Sequence, residues 1–261
     1  MRELVKMFDY TRMIVLLSLT AGLYTSLLIL FKAFVIIPGY TEIRPGSVIP
    51  VVCSLFFGPA AAWGAAFGNL IGDFFGMLGV SSIFGMAGNF LYGYIPYRIW
   101  LQGKDQSLNL RSGRNLVRYF IAAITASMAC VISIAWGLDL LGMVPFVVFS
   151  NIALINNLLA TLILGPILIL LLTPRVQAWG LLYRRIMKDS VKPSPRLLHY
   201  LGFALIWGGG LTAIITANLH AFIGPTMIDH PIALHIAGQA ISIHLGITPG
   251  TLLMIVGCLL I

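Results

Sequence analysis

Ser47–Leu78 reads SVIPVVCSLFFGPAAAWGAAFGNLIGDFFGML, and the way this stretch divides decides the topology of the chain. As one helix its 32 residues would reach about 48 Å at 1.5 Å per residue. A bilayer's hydrocarbon core is only about 30 Å thick. Gly58-Pro59 lies inside the stretch and is a natural break, because proline has no amide hydrogen to continue a helix and its ring clashes with the preceding turn. The stretch therefore divides into two spans at 47–57 and about 60–78. The first is short for a full crossing, so it must begin deeper in the membrane or borrow from loop 37–46.

The charges test that division. Basic residues gather in three clusters: Arg2, Lys6 and Arg12; then Arg98, Lys104, Arg111, Arg114 and Arg118; then Arg175, Arg184, Arg185, Lys188, Lys192 and Arg196. Cytoplasmic loops of membrane proteins carry such clusters. All three share one side only if an even number of spans separates each pair. Division at Gly58-Pro59 gives four spans and then two; the undivided reading gives three and strands a cluster outside. Only Lys32 and Arg44 fall on the outer side.

Outward from this stretch the remaining apolar runs lie at about 13–36, 82–101, 117–141, 144–172, 199–223 and 232–261. Of 261 residues, 59% are hydrophobic and only 9% charged, whereas a soluble domain carries roughly 25% charged residues. Bilayer as solvent explains the shortfall. The formal charge of +8 belongs to the cytoplasmic loops, so nucleic acid is not an expected partner. The first run exceeds a signal-peptide core and has no small-residue cleavage site, so it is a retained helix with the N-terminus in the cytoplasm. Cys53, Cys130 and Cys258 sit in apolar runs without metal spacing and read as packing residues. Segment 176–188, with Trp179 and Tyr183 beside Arg184 and Arg185, suits a short helix on the interface. Thr248-Pro249-Gly250 interrupts the last run, which fits one kinked span or a re-entrant pair.

Several constellations could carry function. Ala60, Gly64, Gly68, Gly72 and Gly76 recur every four residues and so share one helix face. Small residues at this spacing let helix backbones approach closely in lipid. A second ladder, Ser18, Gly22 and Ser26, marks the first helix and could face either this bundle or a partner helix. Asn69 and Asp73 are four apart, and a carboxylate at membrane depth needs a partner or a wet cavity. Amides and aromatics at Asn89, Tyr92, Trp136, Asn151, Asn156 and Asn157 have the make-up of a small-ligand pocket. His220, His230, His235 and His244 fall in the tail; their spacing fits no zinc motif, and interfacial or structural roles suit them best. No Gly-x-Ser-x-Gly, P-loop or His-Glu-x-x-His signature is present, so an enzyme is not expected, and no cofactor is implied.

Three stretches together resemble a known family. They are Ser18–Lys32 (SLTAGLYTSLLILFK), Arg44–Gly76 (RPGSVIPVVCSLFFGPAAAWGAAFGNLIGDFFG) and Val144–Leu172 (VPFVVFSNIALINNLLATLILGPILILLL). Over about residues 10–175 the chain is similar to the substrate-binding S components of energy-coupling-factor (ECF) importers. The resemblance implies an all-α polytopic bundle that captures a small vitamin-like molecule from outside a prokaryotic cell. It implies docking on a membrane T subunit driven by two cytoplasmic ATPases. Small residues of the first helix contact the T subunit in that family, and Ser18, Gly22 and Ser26 match those positions. Arg44, Asn89, Tyr92, Trp136, Asn151 and Asn156 occupy places comparable to its outward-facing pocket. The metal-transporting branch carries a histidine at its extreme N-terminus; Arg2 stands there instead, which argues against nickel or cobalt as cargo.

The expected organisation is a six-helix S-component-like unit over 1–175, a basic loop over 176–198, and a membrane hairpin over 199–261, about two spans beyond the usual unit. A ligand-binding membrane sensor, or an ion-coupled carrier using Asp73, is the alternative.

Overall fold

A computed structural model describes residues 2–37, 41–76, 78–103, 107–188, 190–223, 235–236, 239–240 and 244–261. The chain opens with a short helix α1 (Arg2–Lys6), then α2 (Thr11–Phe31). A small antiparallel ribbon follows, β1 (Val35–Ile37) against β2 (Thr41–Glu42), with Val35 opposite Glu42. A 3-10 turn at Pro45–Ser47 leads into α3 (Val48–Phe57), and α4 spans Pro59–Asp73. The turn extends the short second run backwards, so that the apolar helical piece begins at Pro45.

The break falls at Gly58, where φ is +53°. A side chain there would be strained and would also strike the ring of Tyr183, whose Cγ lies 2.7 Å from the position of an added Cβ. The break reverses the chain. Gly46, just before α3, lies against Leu27 near the end of α2, while Gly64, Gly68 and Gly72 of α4 meet Thr20, Ala21 and Leu28 in rising order. Thus α4 runs parallel to α2 and directly against it, and α3 runs the opposite way alongside.

The rest alternates. Gly85 of α5 (Ser81–Leu101) faces Asn69, and Gly93 faces Ala61, so α5 descends beside α4. Gly88 meets Cys130 and Ile134 of α6 (Gly113–Leu140), and Gly137 meets Phe84, so α6 ascends. Helix α7 (Phe146–Leu159) passes through a π-helical turn at Ala160–Leu164 into α8 (Gly165–Ala178). Tyr119 of α6 reaches this turn, donating to the Thr161 carbonyl at 2.7 Å. A short α9 (Tyr183–Ile186) leads to α10 (Arg196–Ile223), then β3 (His235–Ile236), β4 (Gln239–Ala240) and α11 (His244–Leu260). Among the described residues, six descending and ascending segments therefore lie before Trp179, and two follow.

By length and composition, the stretches Thr11–Phe31, Gly113–Leu140, Phe146–Ile186 and Arg196–Phe222 can cross a membrane, with the shorter apolar helices Pro45–Phe57 and Ile247–Leu260 beside them. The protein is an all-α polytopic membrane bundle. α10 and α11 close on each other through facing glycines. A Cβ on Gly202 would lie 2.7 Å from the Gly257 carbonyl oxygen, and one on Gly250 would lie 2.7 Å from that of Gly209.

Two expectations change. Gly76 does not share the face of Gly64, Gly68 and Gly72: α4 ends at Asp73, and Gly76 lies beyond it in a left-handed turn with φ +111° and nothing within 4 Å of an added Cβ. The interfacial helix expected within 176–188 shrinks to four residues, because α8 continues to Ala178 and Gly180, at φ +68°, then turns the chain. Tyr183 is drawn inward against Gly58 rather than lying flat.

One end of the bundle is basic. There Arg98 and Glu3, each about 5% exposed, form an ion pair at 2.9 Å. Arg98 also donates through Nε to the Ile261 carbonyl at 2.8 Å, through Nη1 to the Lys192 carbonyl at 3.2 Å, and through Nη2 to Ser194. One guanidinium, with its five donors in a fixed fork, thus ties together α1, α5, the basic loop and the end of α11. At the opposite end Lys32 donates to the carbonyls of Gly72 at 2.8 Å and Phe75 at 2.7 Å. A cation is favoured at the C-terminus of α4 because the last carbonyls of a helix are unsatisfied and carry partial negative charge.

Candidate functional site

The sequence candidates fall into three places. The first lies where the ribbon and the 3-10 turn cover the end of the bundle opposite the basic one. The Arg44 amide donates to Asn156 Oδ1 at 3.2 Å, and Ser47 Oγ donates to Asn157 Oδ1 at 2.8 Å. Two adjacent amides of α7 thereby hold the first loop down. Arg44 is half-buried and lies within electrostatic range of Cys130 on α6, which in turn is within range of Tyr92.

Beneath that loop is a buried polar layer. Tyr92 is fully enclosed, and its hydroxyl accepts from Ser127 at 3.3 Å. Asn89 accepts from Tyr24 at 2.7 Å and donates to the Gly85 carbonyl at 2.8 Å. Asn69 donates to Asp73 Oδ2 at 3.3 Å, and both are buried. Unpaired polar groups cost several kcal/mol in hydrocarbon, and these bonds join α2, α5 and α6.

The second place faces the C-terminal hairpin. Trp136 Nε1 donates to Thr248 Oγ1 at 3.1 Å, and Asn151 exchanges bonds of 2.8 and 3.4 Å with Asn218 of α10. Trp136 also lines an apolar groove of about 540 Å³ between α4, α5, α6 and α11. The structure therefore separates Trp136 and Asn151 from Arg44, Asn156, Asn89 and Tyr92. Asn218 and Thr248 are contacts that the sequence reading missed. A polar side chain spaced among apolar ones was the available signal, but the partner helix was not. His220 is half-buried on α10. His230 and the side chains of His235 and His244 lie outside the described residues.

The third place is the outer face of α2. Ser18, Gly22 and Ser26 are exposed, and nothing lies within 4 Å of a Cβ added to Gly22. Both hydroxyls are satisfied within the helix: Ser18 donates to the Ile14 carbonyl at 3.1 Å and Ser26 to the Gly22 carbonyl at 2.7 Å. The opposite face of α2 is the one packed on the glycines of α4. One face of α2, with Leu17, Thr20, Ala21, Tyr24 and Leu28, is thus filled by the glycines of α4, and its small-residue face is open, flanked by exposed Val15, Leu19, Leu23 and Leu30.

No curated protein and no solved structure matches the chain. A family profile, the QueT transporter, matches residues 14–174, which runs from the first turn of α2 into α8 and stops before the hairpin. QueT is a transporter family and not an enzyme family, and it is an ECF-type S component. Helix directions, the loop-covered polar layer and this match agree: the chain belongs to the QueT transporter family of ECF-type S components and is a multi-pass membrane transporter subunit for a small substrate.

Proposed function

We propose that this chain captures a queuosine precursor, the cargo associated with its family, and hands it to an ATP-driven partner module. The N-terminus and all three basic clusters lie in the cytoplasm, where lysine and arginine concentrate in the loops of membrane proteins. Substrate enters from the other side. Arg44 and Asn156 hold it beneath the first loop, with Asn89 and Tyr92 behind them. Trp136 and Asn151 act less directly, through the hairpin. A nucleobase-like heterocycle suits such a layer, because flat rings need a few directed amides among aromatics.

A membrane T subunit docks on Ser18, Gly22 and Ser26, and two cytoplasmic ATPases drive it. The observation that carries this reading is the open seam on α2. In lipid there is no hydrophobic drive between helices, so close backbone approach along small residues is what binds them. α2 is already held in the bundle by the glycines of α4 on its other face, so its own small-residue face is left for another chain.

Co-purification tests it. The tagged chain, expressed with the T subunit and ATPases of its source, is expected to retain them, and Gly22→Leu to lose them while remaining monodisperse. Retention by Gly22→Leu equal to the parent would rule out the seam as the docking face.

A further inference from the structure

At the basic end a cavity of about 470 Å³ opens between the loop after α5 and the last two turns of α8. We propose that it is a site for the phosphate headgroup of an anionic phospholipid. The volume falls in the range of small-molecule sites, and the lining changes character along its length. Leu170, Thr173, Pro174 and Gln177 line it from α8 at the i, i+3, i+4, i+7 spacing of one helix face. The wall is apolar at Leu170 and polar at Gln177, about 10 Å further along the helix. Ile167 and Leu171, each 57% or more exposed, continue the apolar side toward lipid.

One guanidinium lines the cavity and a second is bonded to its wall. Arg111 lines the cavity, and Arg185 is brought to the same rim by donating to the Gln177 carbonyl at 3.1 Å. The facing loop is fixed in advance: Asn115 donates to the Asn109 carbonyl at 3.2 Å and the Ser107 carbonyl at 3.5 Å, and the Arg111 amide donates to Asn109 Oδ1 at 3.2 Å. Among the described residues, none that lines it is acidic. Guanidinium forks match phosphate oxygens, and basic pockets between membrane helices at the interface take lipid headgroups. Trp179, 67% exposed at this end, is an aromatic of the kind that marks the headgroup level. The combination of a polar, basic end with an apolar wall continuing toward exposed Ile167 and Leu171 selects a lipid over a free anion.

Native mass spectrometry of the purified full-length protein tests this, with phosphatidylglycerol, phosphatidylcholine or inorganic phosphate added to neutral detergent. Phosphatidylglycerol is expected to be retained over phosphatidylcholine. Arg111→Gln and Arg185→Gln should each weaken retention about fivefold, as one charge near an anionic headgroup is worth. Thr173→Trp, which fills the cavity, should abolish it, and Arg12→Gln, on α2, should leave it unchanged. Equal retention of both lipids, equal loss in Arg12→Gln, or retention surviving the Arg111→Gln/Arg185→Gln pair would overturn the proposal. Displacement of the lipid by inorganic phosphate at comparable concentration would make this an ion site and overturn it equally.

Discussion

Gly64→Ala probes the helix pair on which the whole bundle is built. The added Cβ would lie 2.6 Å from Thr20 Cβ, 2.8 Å from the Leu17 carbonyl oxygen and 3.0 Å from Thr20 Cγ2. The first two positions are set by the backbone of α2, so no rotamer change relieves them. Ordinary contact begins near 3.4 Å, and α2 must retreat by up to the difference of about 0.8 Å. Overpacking of this kind costs about 1–3 kcal/mol, offset by about 0.5–1 kcal/mol because alanine is the better helix former. The retreat also stretches the Tyr24–Asn89 bond. The net loss is about 1–2 kcal/mol, or a fall in Tm of about 3–6 °C for a chain of this size. Gly22→Ala is the control, since nothing lies within 4 Å of its added Cβ; its Tm should hold or rise slightly. Thermal melting in mild detergent reads both. Equal melting of Gly64→Ala and the parent would refute the close α2–α4 approach.

Arg98→Ala removes the buried ion pair to Glu3 together with the donations to Ile261, Lys192 and Ser194, which should appear as a large fall in Tm with the basic loop opened to protease. Asn218→Leu removes the bond to Asn151 and should weaken the hairpin's attachment, read as faster hydrogen exchange along α10, while substrate affinity changes little. Arg44→Ala and Asn156→Ala should each weaken capture of a queuosine precursor about tenfold or more, as loss of a charge-assisted or buried bond of about 1.5–3 kcal/mol implies; an unaltered Kd by calorimetry would remove the first loop from the site.

Much of the fold was legible because its signals are local. Gly58-Pro59 breaks a helix wherever it stands, and the basic clusters fix parity without knowledge of any contact. The glycine ladder was legible only as far as the helix lasts: spacing of four continues to Gly76, but α4 stops at Asp73, and sequence periodicity carries no such end mark. The facing glycines of α10 and α11 recur every seven residues in each helix, at 202 and 209 and at 250 and 257. That spacing is readable, yet its meaning depends on which helices meet. Arg98 and Glu3 lie 95 residues apart and show no pattern at all. The site was legible in residue type and not in grouping. An amide at membrane depth serves a ligand or a neighbouring helix equally well, and only the fold separates Asn156, at the first loop, from Asn151, at the hairpin.

Uptake into proteoliposomes tests the central claim most directly. The purified chain is reconstituted alone, or with the T subunit and ATPases, and supplied with a labelled queuosine precursor. The account predicts that the chain alone binds the substrate without accumulating it, and that accumulation requires the partners and ATP. Accumulation by the chain alone under an ion gradient, abolished by Asp73→Asn, would contradict it and make the protein a self-sufficient carrier.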